Sequence, residues 1–219
     1  MSTRIIIFAK APVAGLAKTR LMPVLGAEGA ARLAQQMLNS TIEACLAAAL
    51  GPVELCMSPS FCAPEWQAFS LPPALELSEQ GEGDLGQRMA RAAHRALVDK
   101  GALQQQVLLV GTDCPQLSPA LLRRAAQRLS TLDAVLHPTR DGGYALLGLR
   151  QFNNHLFTNM PWSTDRVANL TRQRLAALGW HYQLAEQLQD IDDPQDLFWL
   201  TACWAETLQS SITEAGTHA

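Results

Sequence analysis

The chain lacks any CxxC pair: its five cysteines, Cys45, Cys56, Cys62, Cys114 and Cys203, are scattered and odd in number. That spacing argues against a disulfide framework and against a structural zinc site. An excess of positive charge is also missing. The net charge is −3, so no global basic field points to nucleic acid or to an anionic membrane. No apolar run approaches the length of a membrane span. The opening Met-Ser-Thr-Arg leads straight into a strand without the layout of a signal peptide, so the expected location is cytoplasmic. Internal repeats and low-complexity stretches are absent as well. What remains is an ordinary globular composition: 219 residues, 48% of them hydrophobic, fit one α/β domain with a full core.

Against that background one loop stands out. Arg4-Ile-Ile-Ile-Phe-Ala9 is an apolar, β-branched run that reads as a buried first strand. It passes directly into Lys10-Ala-Pro-Val-Ala-Gly-Leu-Ala-Lys-Thr-Arg-Leu21, which places Lys10, Lys18 and Arg20 on a loop containing Pro12 and Gly15. In an open α/β sheet the C-terminal end of a strand is the edge where ligands bind. Small-residue backbone, a flexible lysine and a forked arginine suit a polyphosphate. The loop is not a Walker A sequence: Ala17 and Pro12 stand where that motif needs glycine. The plainer alternative is a solvated basic loop that turns on its Pro and Gly.

Strand and helix signals alternate along the rest of the chain. A helix is expected over residues 27–49, with Leu33, Met37, Leu38, Ile42 and Cys45 on one stripe. Strands follow at 53–57 and, more weakly, 75–77. In Gly81-Glu-Gly-Asp-Leu-Gly86, Asp84 with Gln87 forms a capping box that opens a helix running to about Lys100. Val107-Leu-Leu-Val110 is the clearest strand, and Ser118-Pro119 starts the next helix. Strands are expected at 133–136, 144–149 and 180–184. A helix is expected from Ser163 to Leu178, and a last one from Asp193-Pro194 past Trp204. The pattern predicts one doubly wound α/β domain over residues 1–208 and a disordered tail over 209–219.

Asp113 follows the best strand, between Gly111 and Pro115. It is placed over the same sheet edge as the cationic loop, although an Asx turn would also account for it. Asp190 and Asp192 share a side if their segment is extended, while Asp193 reads as a helix cap before Pro194. A divalent cation on phosphate oxygens takes one or two protein carboxylates, and Asp113 with Asp192 would meet that need. Asp190 is the alternative second ligand. Asp141-Gly-Gly-Tyr144 is a turn signal, or a place where backbone at Gly142 and Gly143 comes close to a ligand. Trp162 stands before a capped helix start. Cys114 reads as a small buried residue rather than a nucleophile, and the five histidines show no ligand spacing.

Taken together, these segments resemble a bacterial transferase family described as the glycosyltransferase A family or the radical-SAM/selenodomain-associated transferases. That family belongs to the nucleotide-diphospho-sugar transferase (GT-A) superfamily. The matching pieces are residues 8–21, Gly83-Asp-Leu-Gly-Gln-Arg-Met89, Gly111-Thr-Asp-Cys-Pro115, Asp141 to Tyr144, Trp162-Ser-Thr164 and Asp190-Ile-Asp-Asp-Pro194, in order over most of the chain. The resemblance implies a Rossmann-like GT-A sheet, mostly parallel with helices on both faces, that binds a nucleotide with Mg²⁺ or Mn²⁺. Phosphate contacts would come from Lys10, Pro12, Gly15, Lys18, Thr19 and Arg20, with Gly83 and Asp84 beside them. Asp113 and Asp192 would hold the metal; Lys18, Arg20 and Asp113 would be catalytic. Asp141, Gly142, Gly143 and Trp162 would touch donor or acceptor.

Two details pull in different directions. The Lys-Thr-Arg-Leu stretch is similar to phospholactate and phosphoenolpyruvate guanylyltransferases. The late Asp-x-Asp-x-Pro is similar to sugar cytidylyltransferases, although Asp193 stands where they carry Thr. Conversely, Asp113-Cys-Pro115 has one carboxylate where metal-dependent GT-A glycosyltransferases show Asp-x-Asp. Three functions are therefore expected, in order: glycosyl transfer from a nucleotide-diphospho-sugar, nucleotidyl transfer from a triphosphate, and non-catalytic nucleotide binding. In each case the partners are a nucleotide and, for the enzymes, a small-molecule acceptor.

Overall fold

The computed structural model describes residues 2–99 and 106–200. Seven strands form one sheet: β1 (Thr3–Lys10), β2 (Val53–Ser58), β3 (Leu75–Glu79), β4 (Gln106–Val110), β5 (Ala134–Pro138), β6 (Tyr144–Leu149) and β7 (Tyr182–Leu184). Their order across the sheet is β3-β2-β1-β4-β6-β5-β7. β6 alone runs antiparallel, against both β4 and β5; the other neighbours pair in parallel. This is the mostly parallel α/β architecture expected from the alternating pattern. β1 leaves towards β2 on one side, while β4 lies on the other, so the order of the strands switches between them. Such a switch point opens a crevice at the carboxyl ends of the strands.

Among the described residues four α-helices cover the sheet: α1 (Met22–Ala48), α2 (Leu85–His94), α3 (Pro119–Arg128) and α4 (Val167–Ala177). Strand side chains alternate in direction, and the core divides accordingly. Ile5, Ile7, Leu55, Leu108 and Val110 pack with Leu38, Ile42 and Cys45 of α1 and Leu121, Leu122 and Ala125 of α3. Ile6, Cys56, Val107, Leu109 and Leu147 pack on the other side with Met89, Ala92 and Ala93 of α2 and Leu175 of α4. A third cluster joins Leu21 and the start of α1 to Ile191. Helices thus lie on both faces.

Several boundaries differ from the sequence pattern. α1 begins at Met22, ahead of the expected residue 27, because Pro23 suits a first turn; Gly26 then breaks the helical geometry with φ 69°. The Asp84–Gln87 capping box forms as expected, yet α2 stops at His94 and continues as a π-turn over Arg95–Asp99. Ser163 adopts φ 61°, outside helical space, so α4 starts only at Val167. The expected last helix is a short 3-10 turn, Pro194–Trp199. Lys100, Cys203, Trp204 and the tail at 209–219 lie outside the described residues.

Candidate active site

Four segments meet over the carboxyl ends of β1 and β4. The first is the cationic loop. The Leu16 and Ala17 N–H groups both donate to the Val13 carbonyl, and Lys18 takes a left-handed backbone with φ 47° before a 3-10 turn over Thr19–Leu21. Leu21, wholly buried, pins the loop to the core. The second segment leaves β4 through Gly111, whose N–H donates to the Ala145 carbonyl, and carries Asp113. The third is the β5–β6 hairpin: because β6 runs antiparallel, its entry at Asp141 returns to the same edge. The fourth follows β7. Leu188 N–H donates to Pro138 O (2.8 Å) and Ile191 N–H to Asp113 O (2.9 Å), so this segment is laid across both strand ends.

Ile191 explains the placement of the late carboxylates. Its side chain is fully buried against Leu21, Leu25, Leu33 and Met37. Alternation then leaves Asp190 and Asp192 flanking it at the site. Asp196, on the following 3-10 turn, accepts the N–H groups of Asp192 (3.1 Å) and Asp193 (2.8 Å) and fixes that end. Carboxylate oxygens of Asp141, Asp190 and Asp192 lie within 4.8 Å of one another. Burial first, and then the Asp141 carboxylate, push the Asp190 carboxyl up to about 6. Asp141 also holds its own turn, accepting from Gly143 N–H (2.8 Å) and the Thr139 hydroxyl. Its turn role and its site position are therefore not alternatives.

Lys18 is the centre of the charge arrangement. Its ammonium donates to Asp113 Oδ1, to Asp192 Oδ1 (2.7 Å) and to the Ile191 carbonyl (2.7 Å). The side chain is 8% exposed, whereas those of Asp113 and Asp192 are 50% and 40% exposed. Burial works against the charge, but Asp113 and then Asp192 outweigh it and hold the Lys18 pKa above the ordinary lysine value. Arg20 stays exposed, 3.6 Å from Asp193. The Cys114 thiol is pushed well up by burial and then by Asp113, which fits a buried structural residue and not a nucleophile.

These groups line a cavity of about 560 Å³. Its wall includes Lys10, Lys18, Thr19, Arg20, Asp113, Asp141, Gly143, Trp162, Asp190 and Asp192. Other expected residues stand elsewhere. Pro12 and Gly15 shape the loop without reaching the wall, and Gly83 and Asp84 serve the α2 cap, with Asp84 facing a separate hollow of about 500 Å³. Gly142 (φ 88°) faces protein: a Cβ there would stand 2.1 Å from the Asp165 carbonyl oxygen. Its glycine is required by contact with the turn before α4.

One wall residue carries no sequence signal. Gln80 is buried, and its amide donates to the carbonyls of Ala9 (3.0 Å) and Cys56 (3.1 Å), tying the loop before α2 to the ends of β1 and β2. Tyr144 lies behind Trp162 in an edge-on contact (6.4 Å between ring centroids), and Trp162 Nε1 is buried without a hydrogen-bond partner. The oxygen donor set suits a hard divalent cation. The Lys18 ammonium, bound between Asp113 and Asp192, marks where the site demands positive charge.

No curated protein matches the chain in sequence. Among solved structures, a candidate nucleotide-diphospho-sugar transferase from Desulfovibrio desulfuricans is 27% identical, with 98% of each chain covered and a TM-score of 0.85. CMP:2-keto-3-deoxy-manno-octonic acid synthetase, complexed with CTP, shares the fold at 14% identity, 95% coverage of this chain, 100% of its own and a TM-score of 0.57. The 4-diphosphocytidyl-2C-methyl-D-erythritol synthase of Anaerococcus prevotii does so at 12% identity, 93% and 98% coverage and a TM-score of 0.56. Among the described residues no helix is long and apolar enough to cross a membrane. Residues 41–164 match the family described as an uncharacterized protein conserved in bacteria, DUF2064, and with more than half of its length matched the chain belongs to that family.

Proposed function

We propose that this protein is a transferase acting on a nucleotide-activated donor, a nucleotide-diphospho-sugar in the first instance, with help from Mg²⁺ or Mn²⁺. One observation carries the reading: a cationic loop and four carboxylates converge on a single cavity at the switch point of the sheet. The similarity to the candidate nucleotide-diphospho-sugar transferase, over nearly the whole of both chains, supports the choice of donor. The same reading takes residues 1–208 as one catalytic domain working in the cytoplasm.

In this scheme Arg20 and Lys10 receive the diphosphate from the exposed rim, the arginine fork matching two phosphate oxygens at once. Lys18 contributes from deeper in the wall. Asp113 and Asp192, with Asp190 and Asp141 beside them, would hold the cation, which when bound stabilises negative charge on the departing diphosphate. Trp162 and Gly143 line the same cavity, where an acceptor can be oriented against the transferred group.

Nucleotidyl transfer is the second reading, because three cations on one wall suit the larger charge of a triphosphate. A thermal-shift panel separates the two, since a ligand raises the melting temperature by mass action. Stabilisation by nucleotide sugars that needs Mg²⁺ or Mn²⁺ supports the first reading, and stabilisation by triphosphates alone supports the second. No response to any nucleotide overturns both. A metal-dependent shift that survives in Asp113→Ala overturns the metal assignment.

A further inference from the structure

We propose that Lys18 is a resident counter-cation of the Asp113–Asp192 pair, so that it and a divalent metal exclude one another and metal enters as donor phosphates draw Lys18 away. The proposal rests on the reading of Asp113 and Asp192 as metal ligands. It adds an order of binding, set by one side chain.

The geometry is the argument. All three donors of the ammonium are used, two of them on carboxylates. The lysine is more deeply covered than either partner, so it plugs the pair rather than bridging it at the surface. Its left-handed backbone turns the side chain inwards from a loop whose next cation, Arg20, is exposed. A lysine cannot hold these carboxylates and a phosphate together. Its flexible four-carbon stem and compact charge make the exchange possible where an arginine fork would not. A metal at Asp113 and Asp192 would meet the ammonium head-on, and like charges at that distance repel strongly in a partly buried site. Phosphate arriving at the loop offers Lys18 an equivalent partner and frees the carboxylates. Asp141 and Asp190 lie beside Asp192, with carboxylate oxygens within 4.8 Å of one another, and Asp193 faces Arg20.

The arithmetic is that of a competing state. If the ammonium occupies the pair in nine molecules of ten, apparent metal affinity falls about tenfold below its intrinsic value. Free Mn²⁺, measured by its electron paramagnetic resonance signal during titration of nucleotide-free protein, provides the readout. Lys18→Met is expected to bind Mn²⁺ at least about tenfold more tightly than wild type, and Lys18→Arg to remain as weak as wild type. Equal or weaker Mn²⁺ binding by a folded Lys18→Met overturns the proposal. Adding Asp113→Asn or Asp192→Asn to Lys18→Met should abolish the gain. If the gain persists in both, the metal ligands are elsewhere and the underlying reading fails. If both double variants lose Mn²⁺ while Lys18→Met shows no gain, that reading stands and the counter-cation proposal alone fails. In wild type, a protected nitrogen-15 resonance of the Lys18 ammonium, assigned by its loss in Lys18→Arg, should disappear as Mg²⁺ saturates the protein. Its persistence with Mg²⁺ bound overturns the proposal even if Lys18→Met does not fold.

Discussion

Ile191 has no catalytic chemistry, yet it decides where Asp190 and Asp192 stand. Its side chain is fully buried among Leu21, Leu25, Leu33 and Met37. Ile191→Ala removes three carbons from that cluster, and large-to-small changes of this kind cost about 2–5 kcal/mol. The lower half of that range applies, because one side of the cluster is formed by the partly buried Met22, Leu197 and Leu200, which can close on the space. With a cost of about 3 kcal/mol, and about 2–4 °C per kcal/mol for a chain of this size, the melting temperature should fall by about 6–12 °C. The backbone contacts of residue 191, donating to Asp113 and accepting from Lys18, survive the substitution. Measured well below the new melting point, Mn²⁺ binding should therefore weaken far less than in Asp192→Asn. Calorimetry and a metal titration on the two variants check both statements. An unchanged melting temperature would show that the segment after β7 is not pinned as described, and the placement of Asp190 and Asp192 would lose its physical basis.

Two further outcomes follow from groups remote from the cavity. Glu54 is buried and accepts from Arg4 (3.1 Å), Arg95 and the Ser78 hydroxyl (2.6 Å). Glu54→Ala leaves the buried Arg4 with Glu76 (2.6 Å) as its remaining carboxylate partner and unpairs the donors that faced Glu54, so it should cost about 1–3 kcal/mol in urea unfolding; a loss indistinguishable from zero would place the arginines in water. His137 is buried, and burial lowers its pKa although its hydrogen bond to the Glu186 carbonyl (3.1 Å) opposes the shift. The neutral ring is therefore the folded form, and its contribution is complete above the ordinary value of about 6.5 and is lost as pH falls below it. Stability measured from pH 7 down to 5 should fall less steeply in His137→Asn than in wild type, and an identical slope would refute the assignment.

The strands and the two poles of the site were legible because each depends on local chemistry. Apolar runs mark β1, β4 and β6, and the Asp84–Gln87 pair marks the start of α2 through bonds three residues apart. The loop with Lys18 and Arg20 shows its charge directly. Lys18 bonded to Asp113 and Asp192, across 95 and 174 residues, is a different matter. Nothing in the spacing of these residues distinguishes a lysine awaiting phosphate from one already paired. The reversal of β6 is carried by the short link before it, since the seven residues 137–143 between the expected strands at 133–136 and 144–149 are too few for a parallel crossover. Asp141 follows the end of β5 by three residues and so stands at the site edge, where its turn role and a site position coincide. The need for glycine at 142 was not legible, because it comes from a contact with Asp165, twenty-three positions along the chain.

The balance of charge gives the site its direction. Asp113, Asp141, Asp190 and Asp192 line one cavity, and the Lys18 ammonium is bound between two of them, Asp113 and Asp192. An acidic cluster of this kind repels phosphates, so an anionic donor of the proposed kind and the carboxylates would be compatible only with a cation between them. In the free protein Lys18 supplies that cation at the cost of its own availability to phosphate. If, as proposed, a donor brings a divalent ion, Asp113 and Asp192 would hold that ion and Lys18 would be returned to the loop that carries it. The fold makes the exchange local: Lys18 hangs from β1, Asp113 from β4 and Asp192 from the segment hydrogen-bonded to Asp113. The switch point thus holds the exchanging groups on separate segments that meet at one sheet edge.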